Sequence, residues 1–361
     1  MILSPEDWGD NLLSKHLYAQ ALSKNNNVYF LHTVPHPNQK DFITRQDLTD
    51  NLHLLHLKSV VKGISKLPYA AIKLQNKSII RKVLKAIGQP LDVVWSFDQS
   101  KFQDLRQFKA PIAIFHPVDY IEKALSYTSR IANSADLVLS VSQKILDSIN
   151  TSSQKHFVNH GLDATFLEEV EPTRTPGYIL PDKVNIAYVG NLQIKLMDWD
   201  ALINSVALNP ELNFVFIGPD KASNIGGNKK FHELDQIKAL PNTHFTGALS
   251  KKELAQTLPF FDAFIISYDH NKFPVHVSNS HKIMELLSSG KVIVSNFIST
   301  YGDQDLLEMT MDNTLLPDKI KTVCQRLDHY NAPENQLKRT TFARSNTYDK
   351  QIERIEILLQ A

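Results

Sequence analysis

The segment Asn279-Ser-His-Lys-Ile-Met-Glu-Leu-Leu-Ser-Ser-Gly-Lys-Val-Ile-Val-Ser-Asn296 predicts a helix that is followed at once by a buried strand. Asn279 suits the N-cap position, because its side chain can accept a hydrogen bond from a free N–H group of the first turn. Gly290 suits the left-handed residue that ends a helix. The apolar run Val292–Val294 is typical of a strand inside a parallel sheet. The segment therefore predicts one helix–strand step of an α/β fold.

The polar side chains of this helix include a cation and a carboxylate one turn apart. Lys282 lies in the first turn, and Glu285 follows it by three residues. A free helix N-terminus with a lysine beside it suits a diphosphate, and a carboxylate in the next turn suits the paired hydroxyls of a ribose. Helices of this kind also occur throughout α/β proteins, where such a carboxylate bonds to a nearby loop. The pattern therefore indicates a candidate nucleotide-sugar site.

Composition restricts the class of protein. The chain has 361 residues, of which 42% are hydrophobic and 21% are charged, and these values are typical of a globular protein with two domains. The net charge of +1 offers no general attraction for nucleic acid. The one cysteine, Cys324, excludes an internal disulfide framework. Because neither a membrane-spanning apolar run nor a signal peptide is visible in the sequence, we expect a cytoplasmic protein.

Short apolar runs alternate with helical patterns along most of the chain. The predicted strands begin at Val28, Val93, Ile112 and Leu137 in the first half, and at Asn185, Phe214, His244, Ala263 and Val292 in the second. Such alternation is typical of βαβ units and a parallel sheet. Residues 169–183 contain three prolines and a glycine, and this composition predicts a linker between two domains.

The opening segment resembles the nucleotide-binding helix of family 4 glycosyltransferases. The resemblance is to the bacterial branch that carries Asn-Pro-x-Lys-x-x-Glu-Tyr-x-Ala-x-Gly-Lys-Pro-Val and acts in polysaccharide and teichuronic-acid-type synthesis. The positions that match this pattern are Asn279, Lys282, Glu285, Gly290 and Lys291. The positions that depart from it are Ser280 and Val292, which replace prolines, and Leu286, which replaces the aromatic residue.

The resemblance implies the GT-B fold, an α/β architecture of two Rossmann-like domains with parallel sheets. An acceptor-side domain is expected at residues 1–168, the linker at 169–183, and a nucleotide-sugar-binding domain at 184–344. Residues 345–361 would form a helix that crosses back to the first domain. The implied activity is transfer of a sugar, with retention, from a nucleotide-diphosphate sugar to a glycan or lipid-linked acceptor in bacterial surface polysaccharide synthesis.

The resemblance also implies which residues bind the donor. They are Gly190, Lys195, Asn279, Ser280, Lys282 and Glu285. Relatives carry an arginine and then a Lys-Gly pair after the glycine, whereas this chain has only the shifted Lys195 there. Val277 occupies the position of the first glutamate of the family's pair, which usually contacts the donor sugar. Sugar contacts are therefore expected from elsewhere in Asp269–Ser278.

Two residues of the first half are candidates for a catalytic role. His116 follows the predicted strand Ile112–Phe115, and relatives carry a histidine there beside the donor sugar. A neutral imidazole can accept a hydrogen bond or a proton near pH 7, although a lone histidine at a strand end is more often structural. Asp119 suits two roles equally: it could orient His116 or an acceptor hydroxyl, or cap the following helix.

A basic region extends from Asn51 to Leu91, with seven lysines, one arginine and no acidic residue. Part of it predicts an amphipathic helix whose apolar side is flanked by Lys77, Arg81, Lys82 and Lys85. Such a helix suits the anionic inner face of a membrane. The alternative is a helix that packs on the sheet with its lysines in water. No nucleic-acid-binding motif accompanies the region.

We expect neither a metal nor a cofactor, because GT-B enzymes generally need no bound metal. Asp198-Trp-Asp200 has the form of a metal-binding Asp-x-Asp, but it lies at a predicted helix start. His53 and His56 are interpreted as part of a helix surface. Two other functions stay open: a nucleotide-sugar epimerase on the same fold, and a non-catalytic protein that binds a nucleotide sugar or a partner glycosyltransferase.

Overall fold

Two sheets, one in each of two units, organise the chain. The computed structural model describes residues 1–9, 12–32, 39–58, 68–168, 175–220 and 232–360. The first unit consists of Met1–His160 together with Tyr348–Ala361, and the second unit consists of Gly161–Thr347.

In its described residues the first unit has an eight-stranded sheet. Up to residue 160 its elements are β1 (Ile2–Ser4), α1 (Ser14–Leu22), β2 (Val28–His32), β3 (Ile43–Thr49), β4 (Leu52–Leu57), α2 (Tyr69–Ile87), β5 (Val93–Ser96), β6 (Ile112–Phe115), α3 (Leu125–Ala132), β7 (Leu137–Ser140), α4 (Gln143–Ser148) and β8 (Gln154–Phe157). The strand order is β3-β4-β2-β1-β5-β6-β7-β8. Only β3 and β4 pair antiparallel among these strands.

The described residues of the second unit form a six-stranded, wholly parallel sheet of order β11-β10-β9-β12-β13-β14. Its elements are β9 (Asn185–Val189), α5 (Trp199–Ala207), β10 (Asn213–Ile217), α6 (His232–Lys238), β11 (Thr243–Gly247), α7 (Lys251–Thr257), β12 (Ala263–Ile266), α8 (His281–Ser288), β13 (Val292–Asn296), β14 (Glu308–Thr310), α9 (Leu316–Cys324), α10 (Leu327–Tyr330) and α11 (Pro333–Arg344). The last helix of the chain is α12 (Tyr348–Gln360).

The central strands of the second sheet are buried along their whole length. Ile186 of β9 pairs with Phe214 of β10 on one side and with Ala263 of β12 on the other. These three side chains are almost completely buried. A strand that is buried on both faces has a continuous run of apolar residues, and this is why the sequence pattern identifies these strands.

The C-terminal helix belongs to the first unit. The rings of Tyr18 in α1 and Tyr348 in α12 meet edge to face, with centroids 4.9 Å apart. Lys24 Nζ also lies 2.8 Å from Asp349 Oδ2. The expected fold class is thus confirmed: an α/β chain with two largely parallel sheets whose last helix returns to the first unit.

The units meet in sequence at residues 160 and 161, rather than at 168 and 184 as expected. The amide of Leu162 donates to the carbonyl oxygen of Asn346, and Leu162 forms a bridge with Thr347. These bonds join the residues after His160 to the second unit. Residues 169–174 of the expected linker lie outside the described residues.

The interpretation of His53 and His56 as helix surface is wrong. Both residues lie in β4, which pairs in parallel with β2 and antiparallel with β3. His53 Nδ1 lies 2.6 Å from Asp47 Oδ1, and His56 Nδ1 lies 2.8 Å from His32 Nε2. Strand pairing therefore decides the conformation of this segment.

The predicted basic helix is present as α2, and its apolar side faces the interior of the first unit. The buried side chains include Ile79, Ile80, Val83 and Ile87. Lys77, Arg81, Lys82 and Lys85 are exposed. Within the described ranges, no helix combines the length and apolarity that crossing a bilayer requires.

Candidate functional site

The carboxyl ends of β9 and β10 meet backbone to backbone at two glycines. The amide of Gly190 donates to the carbonyl oxygen of Ile217, 2.8 Å away. A methyl group on Gly218 would lie 1.9 Å from the carbonyl oxygen of Gly190, and the φ angle of Gly218 is 148°. Only glycine fits at residue 218. Ligands of open parallel sheets bind at the carboxyl ends of the strands, so this bare backbone suits a close approach.

The sequence predicts a site role for Gly190 but not for Gly218. The available signal is the apolar run Phe214–Ile217, which ends in a Gly-Pro pair. Such a pair marks a turn, but a turn signal does not reveal how closely the next strand approaches.

The ammonium of Lys282 occupies the space that a side chain at residue 190 would fill. A methyl group on Gly190 would lie 2.6 Å from Lys282 Nζ and 2.9 Å from the Tyr188 hydroxyl oxygen. Burial lowers the pKa of Lys282 to about 8, and the charge of Glu285 opposes this shift. A cation held beside a helix N-terminus and a strand end can stabilise a diphosphate.

Glu285 lies one turn further along α8, among charges of both signs. Burial raises the pKa of its carboxyl group to about 7, while Lys251 and Lys282 act to lower it and Asp163 acts to raise it. Near neutral pH the group is therefore divided between its ionised and protonated forms. Two acceptor oxygens become available when it is ionised, as hydrogen bonding to a ribose diol requires.

The ion pair beside Glu285 has no local signal in the sequence. Lys251 Nζ lies 2.5 Å from Asp163 Oδ2, although the two residues are 88 positions apart. Asp163 also accepts from the amide of Thr165 at 3.0 Å. Burial raises the pKa of Asp163, but the bonds from Lys251 and Thr165 outweigh it and hold the pKa below its usual value. The Asp163 carboxyl is therefore ionised at neutral pH, and both members of the pair act on the pKa of Glu285.

Helix α8 begins one residue later than the sequence predicts. Its N-cap is Ser280 rather than Asn279, and the Ser280 side chain makes no capping hydrogen bond. The Ser280 side chain instead lies close enough to the Tyr268 hydroxyl to affect the pKa of that hydroxyl. The N-cap prediction for Asn279 is therefore wrong, since Ser280 is the residue with extended backbone before the first helical turn. The left-handed Gly290 is confirmed, with φ at 77°.

The structure also shows the surroundings of three other residues that the sequence singled out in the second unit. Lys195 is exposed in the turn between β9 and α5. Val277 is buried in the core of the unit. Asp198 caps α5 by accepting from the amide of Ala201 at 3.1 Å, and its other oxygen accepts from Asn313 at 2.7 Å. This use of Asp198 explains the Asp-x-Asp triplet as a helix start.

His116 is completely buried in the first unit. Its ring centroid lies 5.0 Å from that of Phe97 and 5.9 Å from that of Trp95. Neither ring nitrogen has a hydrogen-bond partner among the described residues. Burial, with a smaller effect of His160, lowers the pKa of His116 to about 3. The imidazole is therefore neutral at pH 7 and is a poor proton acceptor, and a catalytic role for His116 stays a prediction.

The Asp119 carboxylate makes no hydrogen bond to the His116 ring, since neither ring nitrogen has a partner among the described residues. Asp119 is exposed, and its main-chain oxygen accepts from Gln99 Nε2 at 2.8 Å. The N-cap residue of the next helical turn is Ile121, which makes no side-chain capping hydrogen bond, and the capping role of Asp119 stays a prediction. The buried ring of His116 packs among aromatic side chains, whereas Asp119 is exposed.

The structure therefore brings together some, but not all, of the residues that were predicted to bind the donor. The predicted residues that lie near the carboxyl ends of the central strands are Gly190, Ser280, Lys282 and Glu285. The residues that accompany them there are Asp163, Lys251, Tyr188 and Tyr268. Lys195 is instead in an exposed turn. The described residues contain no group of three histidine, cysteine, aspartate or glutamate side chains placed to hold a metal ion. The expectation that no metal is needed stays a prediction.

Solved glycosyltransferase structures share this fold over nearly the whole chain. A sucrose-phosphate synthase from Thermosynechococcus elongatus is 13% identical, with a TM-score of 0.72 over 96% of this chain and 91% of that one. An alpha,alpha-trehalose-phosphate synthase (UDP-forming) from Burkholderia xenovorans, in complex with glucose-6-phosphate, is 10% identical, with a TM-score of 0.70 over 100% and 99%. HepE from Anabaena, in complex with UDP and glucose, is 14% identical, with a TM-score of 0.61 over 100% and 99%.

At these identities the likeness concerns the fold, and it confirms the GT-B architecture. No protein-family model matches the chain, and a search of curated proteins finds no match. Membership of family 4 stays a prediction.

Proposed function

We propose that this chain is a glycosyltransferase that moves a sugar from a nucleotide-diphosphate sugar to a glycan or lipid-linked acceptor. The observation that carries the proposal is the position of the Lys282 ammonium at Gly190, one helical turn from the carboxyl group of Glu285. A cation and a carboxylate at this spacing suit the diphosphate and the ribose of one ligand. The GT-B fold supports the same class of ligand.

In the proposed reaction the bond between the anomeric carbon and the β-phosphate oxygen breaks, and a bond to the acceptor oxygen forms. The nucleoside diphosphate leaves and takes up the acceptor's proton. Lys282 and the first amides of α8 would stabilise the charge that develops on the leaving phosphate. Glu285 would hold the ribose. Retention at the anomeric carbon, family 4 membership and a role in surface polysaccharide synthesis rest on the motif resemblance alone.

The first prediction concerns the nucleotide. Because HepE is solved with UDP, UDP is the first probe, with GDP and ADP beside it. Replacing Glu285 with alanine removes an ionised acceptor of two hydroxyls, and the expected loss of affinity is about 10- to 100-fold. Isothermal titration calorimetry measures this loss. The matched control is Glu211→Ala, an exposed glutamate of the same unit, which should keep the wild-type affinity.

The pH dependence of the same measurement tests the charge of Glu285. The pKa of Glu285 is about 7, and only the ionised form presents two unprotonated, charged oxygens to the ribose hydroxyls, so affinity should fall as the pH drops from 8 to 6. Glu285→Gln should remove this decrease and leave only the opposite effect of Lys282, whose pKa is about 8. Equal affinity of the wild type and Glu285→Ala at pH 8 would contradict the donor site.

A non-catalytic protein that binds a nucleotide sugar is the second candidate. It is favoured by the buried Val277, which replaces a glutamate that usually contacts the sugar, and by the exposed position of Lys195. Incubation with a nucleotide sugar and candidate acceptors, followed by product analysis, separates the candidates. Binding without release of nucleoside diphosphate would favour the non-catalytic protein. An epimerase would instead yield an isomerised sugar.

We also propose that α2 attaches the protein to the anionic inner face of a membrane, by charge and without insertion. Its apolar side is occupied by the core of the first unit, while Lys77, Arg81, Lys82 and Lys85 are exposed. Each basic residue near an anionic surface contributes about 1 kcal/mol, and salt screens the attraction.

Vesicle sedimentation tests this attachment. Phosphatidylserine-containing vesicles should bring down the wild type at low salt, and changing the four residues to glutamine should abolish the effect. The control variant removes the same charge elsewhere by changing four exposed lysines to glutamine: Lys183, Lys252, Lys321 and Lys350. Equal sedimentation of the α2 variant and the wild type would refute the proposal.

A further inference from the structure

The segment between β12 and α8 contains a single carboxylate, that of Asp269. Val277, at the position where a sugar-binding glutamate is expected, is apolar and only 4% exposed in the core of the second unit. A sugar presents several hydroxyl groups, and a carboxylate oxygen can accept hydrogen bonds from them. Asp269 is therefore the one residue of this segment that can supply a charged acceptor to a sugar.

Backbone hydrogen bonds hold Asp269 beside the residues that follow β9. Its amide donates to the carbonyl oxygen of Leu196 at 2.9 Å. The preceding residue, Tyr268, forms an antiparallel bridge with Met197. Since β9 and β12 are neighbouring parallel strands, these bonds join the segments that leave their carboxyl ends. Asp269 thus has a fixed place at the edge of the sheet where ligands of such folds bind.

Met197 connects this place to the one where Lys282 lies. Its sulfur lies 3.2 Å from the hydroxyl oxygen of Tyr188. That oxygen and the Lys282 ammonium lie 2.9 Å and 2.6 Å from the point that a methyl group on Gly190 would occupy. The sugar of a nucleotide-diphosphate sugar is bonded to the outer phosphate, so its contacts must lie next to the diphosphate. Asp269 directly follows the bridge partner of Met197 and is thus a near neighbour of the proposed diphosphate site.

The Asp269 carboxylate has one oxygen in use and one available. Oδ1 accepts from the amide of Lys272 at 2.9 Å, and this bond closes the turn that follows Asp269. Oδ2 has no hydrogen-bond partner among the residues that the structure describes. The side chain is half-buried, so a ligand can reach it. A carboxylate that is held through one oxygen loses little further side-chain freedom when the other oxygen accepts a hydrogen bond.

We propose that Asp269 binds a hydroxyl group of the donor sugar and thereby replaces the glutamate that residue 277 lacks. This inference rests on the proposed function. It assigns the nucleotide to Gly190, Lys282 and Glu285, and the sugar to the turn after β12. A change at Asp269 should therefore alter the affinity for a nucleotide sugar and leave the affinity for the free nucleoside diphosphate unchanged.

The test measures two affinities by isothermal titration calorimetry. The ligands are the nucleoside diphosphate that the wild type binds best, among UDP, GDP and ADP, and the glucose, galactose and mannose derivatives of that nucleotide. Asp269→Asn keeps an acceptor for the amide of Lys272 and replaces the free oxygen with a donor group. The loss of a charged acceptor should weaken binding of the preferred nucleotide sugar about 10- to 100-fold and leave the nucleoside diphosphate within about twofold of the wild type.

Asp312→Asn is the matched control. Asp312 is an exposed aspartate of the same unit that also closes a turn, since its Oδ1 accepts from the amide of Thr314 at 2.9 Å. This variant should match the wild type with every ligand. Asp269→Ala, which removes both oxygens, separates sugar binding from closure of the turn. If Asp269 only closed the turn, the alanine variant would lose affinity for the nucleoside diphosphate and the nucleotide sugar alike, and Asp269→Asn would lose neither.

The results that overturn the inference differ in what else they overturn. If the wild type binds a nucleoside diphosphate and Asp269→Asn binds every nucleotide sugar as the wild type does, Asp269 does not bind the sugar, while the nucleotide site stands. The same conclusion follows if the variant loses both affinities equally, or if the wild type binds the nucleoside diphosphate but none of its sugar derivatives. If the wild type binds none of these ligands, the proposed function fails and the inference fails with it.

Discussion

Replacing Gly218 with alanine should destabilise the second unit by at least about 3 kcal/mol, because backbone strain and a backbone collision act together. The new methyl group would lie 1.9 Å from the carbonyl oxygen of Gly190, at a φ angle of 148°. Neither group is the end of a flexible side chain, so β9 and β10 must separate to make room. For a unit of this size the thermal midpoint should fall by about 10 °C, which differential scanning calorimetry measures.

Gly247→Ala is the matched control for this change. Gly247 ends the neighbouring strand β11 with a positive φ of 74°, but a methyl group there would have open space around it. Its cost is limited to that of the left-handed conformation, roughly 1–2 kcal/mol. Nucleotide affinity should be lost in Gly218→Ala and kept in Gly247→Ala, since only the former displaces Gly190. Equal destabilisation by the two substitutions would show that the strand ends are not in close contact.

Lowering the pH from 6.5 to 5 should strongly decrease the free energy of unfolding of the first unit. Burial, followed by His56, lowers the pKa of His32 to about 4. Burial, followed by His160, lowers the pKa of His116 to about 3, and burial lowers that of His160 to about 4. Between these values and 6.5 the unfolded chain binds protons that the folded chain does not, so stability falls as the pH falls. Each histidine contributes up to about 1.4 kcal/mol per pH unit, and the three together should remove several kcal/mol between pH 6.5 and 5.

Tryptophan fluorescence can follow the first unit by itself. The chain has three tryptophans, of which Trp8 and Trp95 lie in the first unit and Trp199 lies in the second. In a Trp199→Phe background, urea unfolding at pH 7.5, 6 and 5 therefore reports on the first unit. His116→Phe should reduce the dependence on pH, because phenylalanine suits the aromatic surroundings and takes up no proton. His276→Phe, which changes an exposed histidine, should leave the dependence unaltered. A stability that is constant from pH 7.5 to 5 would contradict the prediction.

Elements with a strong local pattern could be predicted from the sequence. The sequence identified three such elements: the helix of Lys282 and Glu285, the strand Val292–Val294 and the basic helix α2. The spacing of the apolar residues and the residues that begin or end each element lie within the segment itself. β4 was not. Leu52-His-Leu-Leu-His-Leu places apolar residues at spacings that a helix also satisfies, and its strand form depends on pairing with β2 and β3. Pairing partners are not visible in the segment itself.

The residues of the candidate site also fall into two groups: those that the sequence identifies and those that only the folded unit brings together. The spacing of Lys282 and Glu285 is local, so the sequence identified both residues. Asp163 and Lys251 are 88 positions apart, and they become neighbours only in the folded second unit. Tyr268 and Ser280 are closer in sequence, but the proximity of their side chains is likewise not visible in either segment alone.

The sequence by itself determined the fold class and the residue types that a phosphate and a ribose would require. Only the tertiary structure decided their charge. The pKa of Lys282 near 8 and that of Glu285 near 7 follow from the loss of water around each group. Desolvation depends on every element that packs against a side chain, and a sequence of residues does not contain that packing.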